Sequence, residues 1–424
     1  MKARAIDWPR GLYFVLAALL ALSALKGYRT CISDRGNDLT IYLDAARAVL
    51  EGRSPMEVVD YIYLPVMAVA ISPLGWLPMP VAALLWQLAS WLAILWSAQA
   101  VAGLVGSGRS VRWIPFICLL CTYRLADSNL SYGQANAFTL AALLKALQWT
   151  TTDRNDAAGR LAGAATAFKI LPGIFLILLF VRGKLRSAAQ GLLMFAALAI
   201  LLPWAAFGWH MGWQVQSDWF HQVFEPYMRG GHALLEARPY LPGQSLLAIT
   251  YHSLVDTPIS ANHPELRANF VSWDPDVAHW IVRALIAFHL GAFVFAVYRK
   301  RRAASNLVPN AALALCTVIL IGPLVHRAHM VWSMLAVGWL FHHCFNLRAG
   351  SRWLGLGWGI SCALIGLTTS GILGGNTARQ LLGHGVVGIA MEILWWTCLI
   401  AVLNLPNQSE SNFQSPTHPS QAVL

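Results

Sequence analysis

Apolar runs of about twenty residues, separated by short polar segments, recur along nearly the whole chain. A helix of roughly 20 apolar residues matches the hydrocarbon thickness of a bilayer. The runs that we take as candidate spans are 11–28, 63–79, 81–105, 112–123, 133–149, 159–181, 187–207, 278–298, 308–325, 330–347, 353–373 and 385–404. Two or three middle runs are short enough to be re-entrant. The pattern predicts an all-α, polytopic transmembrane helical bundle of about 9–12 membrane helices, with outer-face loops and short re-entrant helices.

The run 159–181 differs from the others because Lys169 and Pro172 interrupt it and basic residues flank both of its ends. Two short half-helices that meet at 169–172 would explain the interruption, and a straight span kinked at the proline is the alternative. A lysine at the bilayer centre costs about 2.5–3.5 kcal/mol on insertion scales, so Lys169 is expected to face protein or a cavity. Snorkelling of its ammonium group to the lipid headgroups is the competing interpretation.

Composition supports a membrane protein and excludes a nucleic-acid-binding one. Hydrophobic residues make up 57% of the chain and charged residues only 12%, against about 25% charged in soluble domains. The net charge of +11 comes from basic clusters between apolar runs, which is the positive-inside pattern of cytoplasmic loops. That rule puts the N-terminus inside and the segments 29–62, 208–277 and 326–329 outside.

We expect one membrane domain, 1–404, followed by a cytoplasmic tail, 405–424. The tail is rich in Ser, Gln, Asn and Pro, a composition that predicts disorder. The first apolar run could mimic a signal peptide, but we expect it to remain as an uncleaved span. Seven cysteines show neither a disulfide framework nor zinc-ligand spacing. No metal and no cofactor are predicted.

The outer segment after the first run contains an acidic residue at a helix start. Ile41, Ala45, Ala48 and Val49 form an apolar stripe that predicts a helix from Asp38 to about Gly52. Asp38 would then lie in the first turn, where the helix dipole favours a carboxylate. It could be a simple N-cap, or it could be a general base or metal ligand at the membrane surface.

Several short motifs follow one another in a characteristic order. They are Asp38-x-x-x-Tyr42-x-x-Ala45-Ala46, Tyr61-x-Tyr63-x-Pro65, Gly133-Gln134-x-Asn136, Lys169-x-x-Pro172, Gln244-Ser245-Leu246 and the segment from Pro323 to His329. Together they resemble glycosyltransferase family 87, the polyprenol-phosphate-mannose-dependent mannosyltransferases of the GT-C type. Three departures occur: Gly243 stands where the family has Asn, Gly322 stands where it has Ser, and His326 and His329 are not adjacent.

The resemblance implies a role for each motif residue. Asp38 would be the catalytic base, with Asp34 as an alternative that could bind the acceptor. Cations that could hold the leaving phosphate are Lys169, His326, Arg327 and His329. Gln134, Asn136 and Gln244 would bind substrate, although the first two could simply start a helix. Tyr42 and Tyr63 could stack on sugar or anchor at the interface. Two histidines without a third ligand make a weak metal site.

The implied function is an inverting transfer of a hexose, mannose in this family, from a polyprenyl phosphate to a glycolipid or glycan acceptor. The expected location is the plasma (inner) membrane, with a multi-pass chain, lipid contacts, and an active site on the periplasmic or extracellular face. No glycine-rich phosphate loop and no Asp-x-Asp run appear in the sequence, which argues against a nucleotide-sugar donor. Two alternatives stay open: a lipid-linked-glycan ligase or polymerase with a diphosphate donor, and a flippase or transporter of lipid-linked sugars.

Overall fold

The computed structural model describes residues 8–33, 37–226, 243–260, 264–346 and 352–406. Within these ranges the chain is helical and contains no strand beyond one isolated bridge. The helices are α1 (Trp8–Ile32), α2 (Asp38–Leu50), α3 (Pro65–Gly75), α4 (Met79–Val105), α5 (Ile114–Ser131), α6 (Asn136–Thr151), α7 (Asn155–Phe168), α8 (Ile174–Val181), α9 (Leu185–Ala196), α10 (Leu202–Phe207), α11 (Trp209–Trp219), α12 (Leu246–Leu254), α13 (Pro275–Lys300), α14 (Leu307–Ile321), α15 (Met334–Asn346), α16 (Arg352–Leu367), α17 (Ser370–Leu373), α18 (Gly375–Gly383) and α19 (Val386–Leu403). The predicted all-α class is confirmed.

Six segments of the described chain are long and apolar enough to cross a bilayer: Trp8–Ile32, Met79–Val105, Leu185–Phe207, Pro275–Lys300, Ala304–Ile321 and Val386–Leu403. The predicted span 63–79 is wrong. Its helix, α3, has 11 residues and is therefore about 16 Å long, too short for a hydrocarbon core of about 30 Å. The run is apolar because α3 packs against α2: Met67 and Ile71 are buried in a cluster with Leu43 and Ala46.

The predicted break at 169–172 is confirmed, and the straight, kinked alternative is wrong. α7 ends at Phe168, Lys169 is extended (φ −154°, ψ 125°), and a 3₁₀ turn, Leu171–Gly173, leads into α8. Pro172 cannot continue the α7 hydrogen-bond ladder. After α8, Arg186 forms an ion pair of 2.9 Å with Asp156 near the start of α7. The two half-helices therefore form a re-entrant hairpin whose apex is Lys169.

α7 lies close against α9 because glycines line the contact. A Cβ atom on Gly159 or Gly163 would overlap the carbonyl oxygens of Ser187 and Gly191. Small residues four apart allow two membrane helices to approach at backbone distance. This packing fixes the hairpin, and with it the height of Lys169 in the bundle.

The bundle has two ends, which its contacts distinguish. Arg182 donates a hydrogen bond of 3.0 Å to the carbonyl of Ala303, just before α14, and Arg186 pairs with Asp156; we call this the basic end. α14 runs from there to Ile321, and the segment that follows it carries His326. The backbone N–H of Gln244 meets the Val325 carbonyl at 2.8 Å. The motif segments therefore gather at the opposite end, which we call the site end.

The segment 208–277, expected as a mixed loop, contains helical structure where it is described. α11 follows Gly208, and a π-helical turn, Phe220–Phe224, extends it. The helix suspected within 244–254 is confirmed as α12. α14 is buried along almost its whole length and forms the centre of the bundle.

Candidate active site

Asp38 is the first residue of α2, but it is not the N-cap. Asn37 is the cap: its side chain accepts from the Thr40 N–H at 3.1 Å, and the Thr40 hydroxyl accepts from the Asn37 N–H at 3.3 Å. The N-cap interpretation of Asp38 is therefore wrong. The Asp38 N–H bonds the Tyr132 carbonyl at 3.1 Å, which ties the start of α2 to the turn between α5 and α6. The Asp38 carboxylate is left available for other contacts.

The environment of Asp38 favours its protonated form more than water does. Burial raises the pKa of this carboxyl group above its ordinary value, and the charge of Asp60 acts in the same direction. A hydrogen bond from Gln134 and the positive charge of Lys169 oppose the rise in pKa. A carboxylate with a raised pKa is a stronger base than one exposed to water.

Gln134 lies at the centre of the site. Its Nε2 donates to the Asp38 carboxylate and lies 3.3 Å from His326 Nε2. Its Oε1 accepts from Lys169 Nζ at 3.2 Å and from the Tyr42 hydroxyl at 3.3 Å. One amide therefore connects the carboxylate to the ammonium group, and both of its ends are held by charge-assisted bonds.

The turn before Gln134 needs a glycine. Gly133 has φ +66°, which is left-handed backbone, and a Cβ atom there would lie 2.6 Å from the Leu39 Cβ. Its carbonyl accepts a hydrogen bond of 2.9 Å from the Trp86 indole. The close approach to Leu39 brings the turn against α2, next to Asp38.

Lys169 is buried, with 8% of its surface exposed. Its ammonium group donates to Asn136 Oδ1 at 2.7 Å and to Gln134 Oε1 at 3.2 Å. It also lies 5.3 Å from the centroid of the Tyr63 ring, within range of a cation–π interaction. The snorkelling interpretation is wrong, because the side chain points into the protein at the hairpin apex.

His326 and His329 lie side by side with their ring centroids 4.5 Å apart. Burial lowers the pKa of His326 to about 3, and the charges of Lys169 and Arg327 add to this shift. Burial likewise places the pKa of His329 well below its ordinary value. Burial therefore favours the neutral form of both rings, against the expectation that they supply positive charge. Neutral imidazoles can still donate hydrogen bonds to an anion.

Comparison with known proteins identifies the family. The family model for glycosyltransferase family 87 matches residues 61–326. The chain belongs to glycosyltransferase family 87. One similar protein is the polyprenol-phosphate-mannose-dependent alpha-(1-2)-phosphatidylinositol mannoside mannosyltransferase of Mycobacterium tuberculosis, 23% identical over 330 residues, which cover 71% of this chain and 69% of that protein. No solved structure matches the chain.

In this family 87 glycosyltransferase, Gln244 supports the site without facing it. Its amide nitrogen donates to the carbonyls of Gly243 and Leu382, both at 2.8 Å. Its amide oxygen accepts from the N–H groups of Val387 and Gly388, both at 3.2 Å. All four hydrogen-bonding positions of the amide are used. We therefore assign Gln244 the role of holding the segment next to His326 against α19.

The remaining predicted residues have different surroundings. Tyr42 is completely buried, and its hydroxyl bonds Tyr63 at 2.7 Å, so it supports Gln134 from inside the protein. Tyr63 is half-buried beside Lys169. Arg327 is half-buried next to His326. Asp34 lies outside the described residues.

Two neighbours of the site were missed by sequence reasoning. Asp60 has a left-handed backbone with φ +67° and lies within electrostatic reach of Asp38. The Tyr132 ring lies 6.0 Å from the His326 ring. Tyr132 directly precedes the Gly133 motif, which is the signal that could have pointed to it. Within the described ranges no group of three or more His, Cys, Asp or Glu side chains could hold a metal ion.

Proposed function

We propose that the enzyme transfers a mannosyl group from a polyprenyl phosphate to a hydroxyl group of a glycolipid or glycan acceptor, with inversion at the anomeric carbon. The observation that carries this proposal is the Asp38–Gln134–Lys169 connection, in which one amide holds a base and a cation at the same site. Transfer from a sugar phosphate needs both: a base for the acceptor proton and positive charge for the leaving phosphate.

The proposed reaction is a single displacement. The acceptor oxygen attacks the anomeric carbon, and the bond between that carbon and the phosphate oxygen breaks with its electron pair staying on the phosphate. The acceptor proton moves to Asp38. Gln134 bonds one carboxylate oxygen, which leaves the other oxygen of Asp38 for the proton. Because the acceptor attacks the face opposite the departing phosphate, this single displacement inverts the anomeric configuration.

The leaving phosphate would be held by Lys169 and its neighbours. The ammonium group has three N–H donors, and Asn136 and Gln134 accept two of them. These two hydrogen bonds orient the third N–H of Lys169, which is left to donate to a phosphate oxygen. Arg327 adds a second cation, and neutral His326 and His329 add N–H donors. Because Lys169, His326 and His329 are buried, their interactions with a phosphate are stronger than they would be in water.

An outer-face site is supported by the charge distribution. Arg182, Arg186 and the cluster Arg299–Arg302 lie at the basic end, which the positive-inside rule assigns to the cytoplasm. The site end would then face the periplasm or the cell exterior, and the enzyme would act in the plasma membrane. A phosphatidylinositol mannoside, the acceptor named for the mycobacterial relative, is one glycolipid of the proposed class.

The test compares two carboxylates on the same helix. Asp38→Asn should lower kcat with polyprenyl-phosphate mannose by at least about a hundredfold, the contribution expected of a general base. Asp44→Asn is the matched control, because Asp44 is on α2 but its side chain is 47% exposed and pairs with Arg47. A wild-type rate in Asp38→Asn would remove Asp38 from the mechanism.

Donor and product analysis separates the alternatives. Turnover of a polyprenyl-diphosphate sugar in place of the monophosphate would indicate a ligase or polymerase. Movement of labelled lipid across vesicles without a new glycosidic bond would indicate a transporter.

A further inference from the structure

The helix α11 carries a polar stripe that the proposed reaction does not use. His210, Gln214, Asp218 and Gln222 are four residues apart along α11 and the π-helical turn after it, so they share one face. In the described chain these four side chains form no hydrogen bond with one another. This face of α11 is therefore polar, and we expect it to contact water, protein or a ligand and not the lipid tails.

A second face of α11 is aromatic and exposed. Trp209 and Trp213 are 62% and 61% exposed, and Phe220 is 45% exposed. Exposed aromatic rings on an amphipathic helix are typical of the headgroup region of a membrane. α11 would therefore lie along the membrane surface, with its polar stripe at the height of lipid headgroups.

The polar stripe lines a cavity of about 500 Å³. The opposite wall is the segment that follows α2, which contributes Ser54, Met56 and Glu57. Met211 and Val215 lie among the lining residues on the α11 side. Cavities of several hundred cubic ångströms with a few polar groups are the usual form of small-ligand sites.

Aromatic contacts connect this cavity to the active site. Met56 and Val215, which line the cavity, pack in one buried cluster with Tyr61. The Tyr61 ring lies 5.8 Å from the Tyr63 ring, which lies 4.9 Å from the Tyr42 ring. Tyr42 in turn bonds Gln134. The cavity therefore lies at one end of a continuous set of contacts whose other end is the Asp38 network.

The charges of the two regions differ. The phosphate side of the active site has Lys169 and Arg327, whereas the described lining of the cavity includes no lysine or arginine. Of the two carboxylates in that lining, Glu57 pairs with Arg53 at 3.4 Å, so the negative charge of the cavity comes chiefly from Asp218. Carboxylate and amide oxygens accept hydrogen bonds from hydroxyl groups, and the negative charge of the Asp218 carboxylate disfavours a phosphate. This chemistry fits an uncharged polyhydroxyl group and does not fit the phosphate of the donor.

We propose that the cavity between α11 and residues 54–57 binds the uncharged sugar headgroup of a glycolipid acceptor, with Gln214 and Asp218 accepting hydrogen bonds from its hydroxyl groups. This assignment rests on the proposed transferase function. The lipid tail of the acceptor would stay beside the exposed aromatic face of α11.

The test measures acceptor kinetics in lipid nanodiscs, because sugar-based detergents would compete for the cavity. The acceptor is octyl α-mannoside and the donor is polyprenyl-phosphate mannose. Asp218→Asn and Gln214→Ala should each raise the acceptor KM about tenfold, the loss expected for a hydrogen bond to a sugar hydroxyl. The kcat at saturating acceptor and the donor KM should stay unchanged. His221→Gln is the matched control, since His221 continues the same helix outside the cavity.

A second acceptor separates recognition of sugar from recognition of the alkyl chain. The same KM increase is expected with methyl α-mannoside. An unchanged acceptor KM in both variants, an effect limited to octyl α-mannoside, or a change in donor KM instead would each overturn the assignment.

Failure of the proposed function would show separately, as absence of transfer by the wild-type enzyme. The cavity is then tested by equilibrium binding of radiolabelled octyl α-mannoside to the donor-free protein. Weaker binding to Asp218→Asn than to His221→Gln would support the sugar site, and equal binding to both would overturn it.

Discussion

The central position of Gln134 predicts a specific change in pH dependence. In the proposed mechanism, transfer requires Asp38 in its carboxylate form, so activity should be lost as the pH falls through the raised pKa of that group. The Gln134 hydrogen bond favours the carboxylate and holds this pKa down. Gln134→Leu removes the bond with little change in volume. The pKa of Asp38 should therefore rise further.

The size of the shift follows from the strength of the bond. A hydrogen bond to a charged group contributes about 1.5–3 kcal/mol, and one pKa unit corresponds to about 1.4 kcal/mol. The acidic limb of the kcat profile should thus move upward by about one to two pH units. Gln134→Glu should move the limb in the same direction, because it places a second carboxyl group beside Asp38.

The assay is the initial rate of mannosyl transfer at saturating donor and acceptor from about pH 4 to 9, a range that brackets carboxyl groups with raised pKa values. Gln190→Leu is the matched control: Gln190 is a half-buried glutamine on α9 whose amide oxygen accepts a hydrogen bond of 3.5 Å from Arg160, at the basic end of the bundle. An acidic limb that stays in place in both Gln134 variants, while they remain folded, would refute the coupling of Gln134 to the base.

Three further predictions concern the cation, a buried pair and helix packing. Lys169→Met should lower kcat about a hundredfold or more, measured at saturating substrates, because the leaving phosphate loses a preorganised cation. Glu392→Leu should lower the free energy of unfolding by about 1–3 kcal/mol, because buried His289 loses the carboxylate that now lies 2.9 Å from its Nε2. The loss is measured as a lower thermal midpoint, and Glu392→Gln should retain most of the stability. Gly163→Leu should lower the thermal midpoint and the yield by forcing α7 away from α9, whereas Gly103→Leu, where no atom lies within 4 Å of an added Cβ, should not.

Local patterns predicted the helical class and the break at Lys169, because both depend on neighbouring residues. An apolar run forms a helix in lipid, and a lysine followed three residues later by proline interrupts it. The motif resemblance also pointed to Asp38, Gln134 and Asn136, which lie together in the structure. Their mutual contacts were beyond sequence reasoning, since they join helices separated by up to about a hundred residues along the chain.

The wrongly predicted membrane span shows that an apolar run can have a cause other than contact with lipid. The run 63–79 is apolar because α3 packs on α2, and hydropathy alone does not distinguish protein neighbours from lipid. The charge of His326 was misjudged because burial, which the sequence does not show, controls its pKa. The polar residues of the α11 stripe are spaced four apart in the sequence. Trp and His residues between them obscure the apolar periodicity that would have predicted a helix there.

The placement of an amide between Asp38 and Lys169 has a chemical consequence. A direct ion pair would lower the pKa of the carboxyl group and occupy the ammonium group, so the base would be weaker and the cation unavailable for phosphate. With Gln134 between them, each charge is partly compensated by a hydrogen bond and keeps capacity for a substrate: one oxygen on Asp38 and one N–H on Lys169. The amide also sets the distance between these two positions. A base and a phosphate-binding cation held at a fixed separation, in a site with little water, are what a single displacement at a sugar phosphate requires.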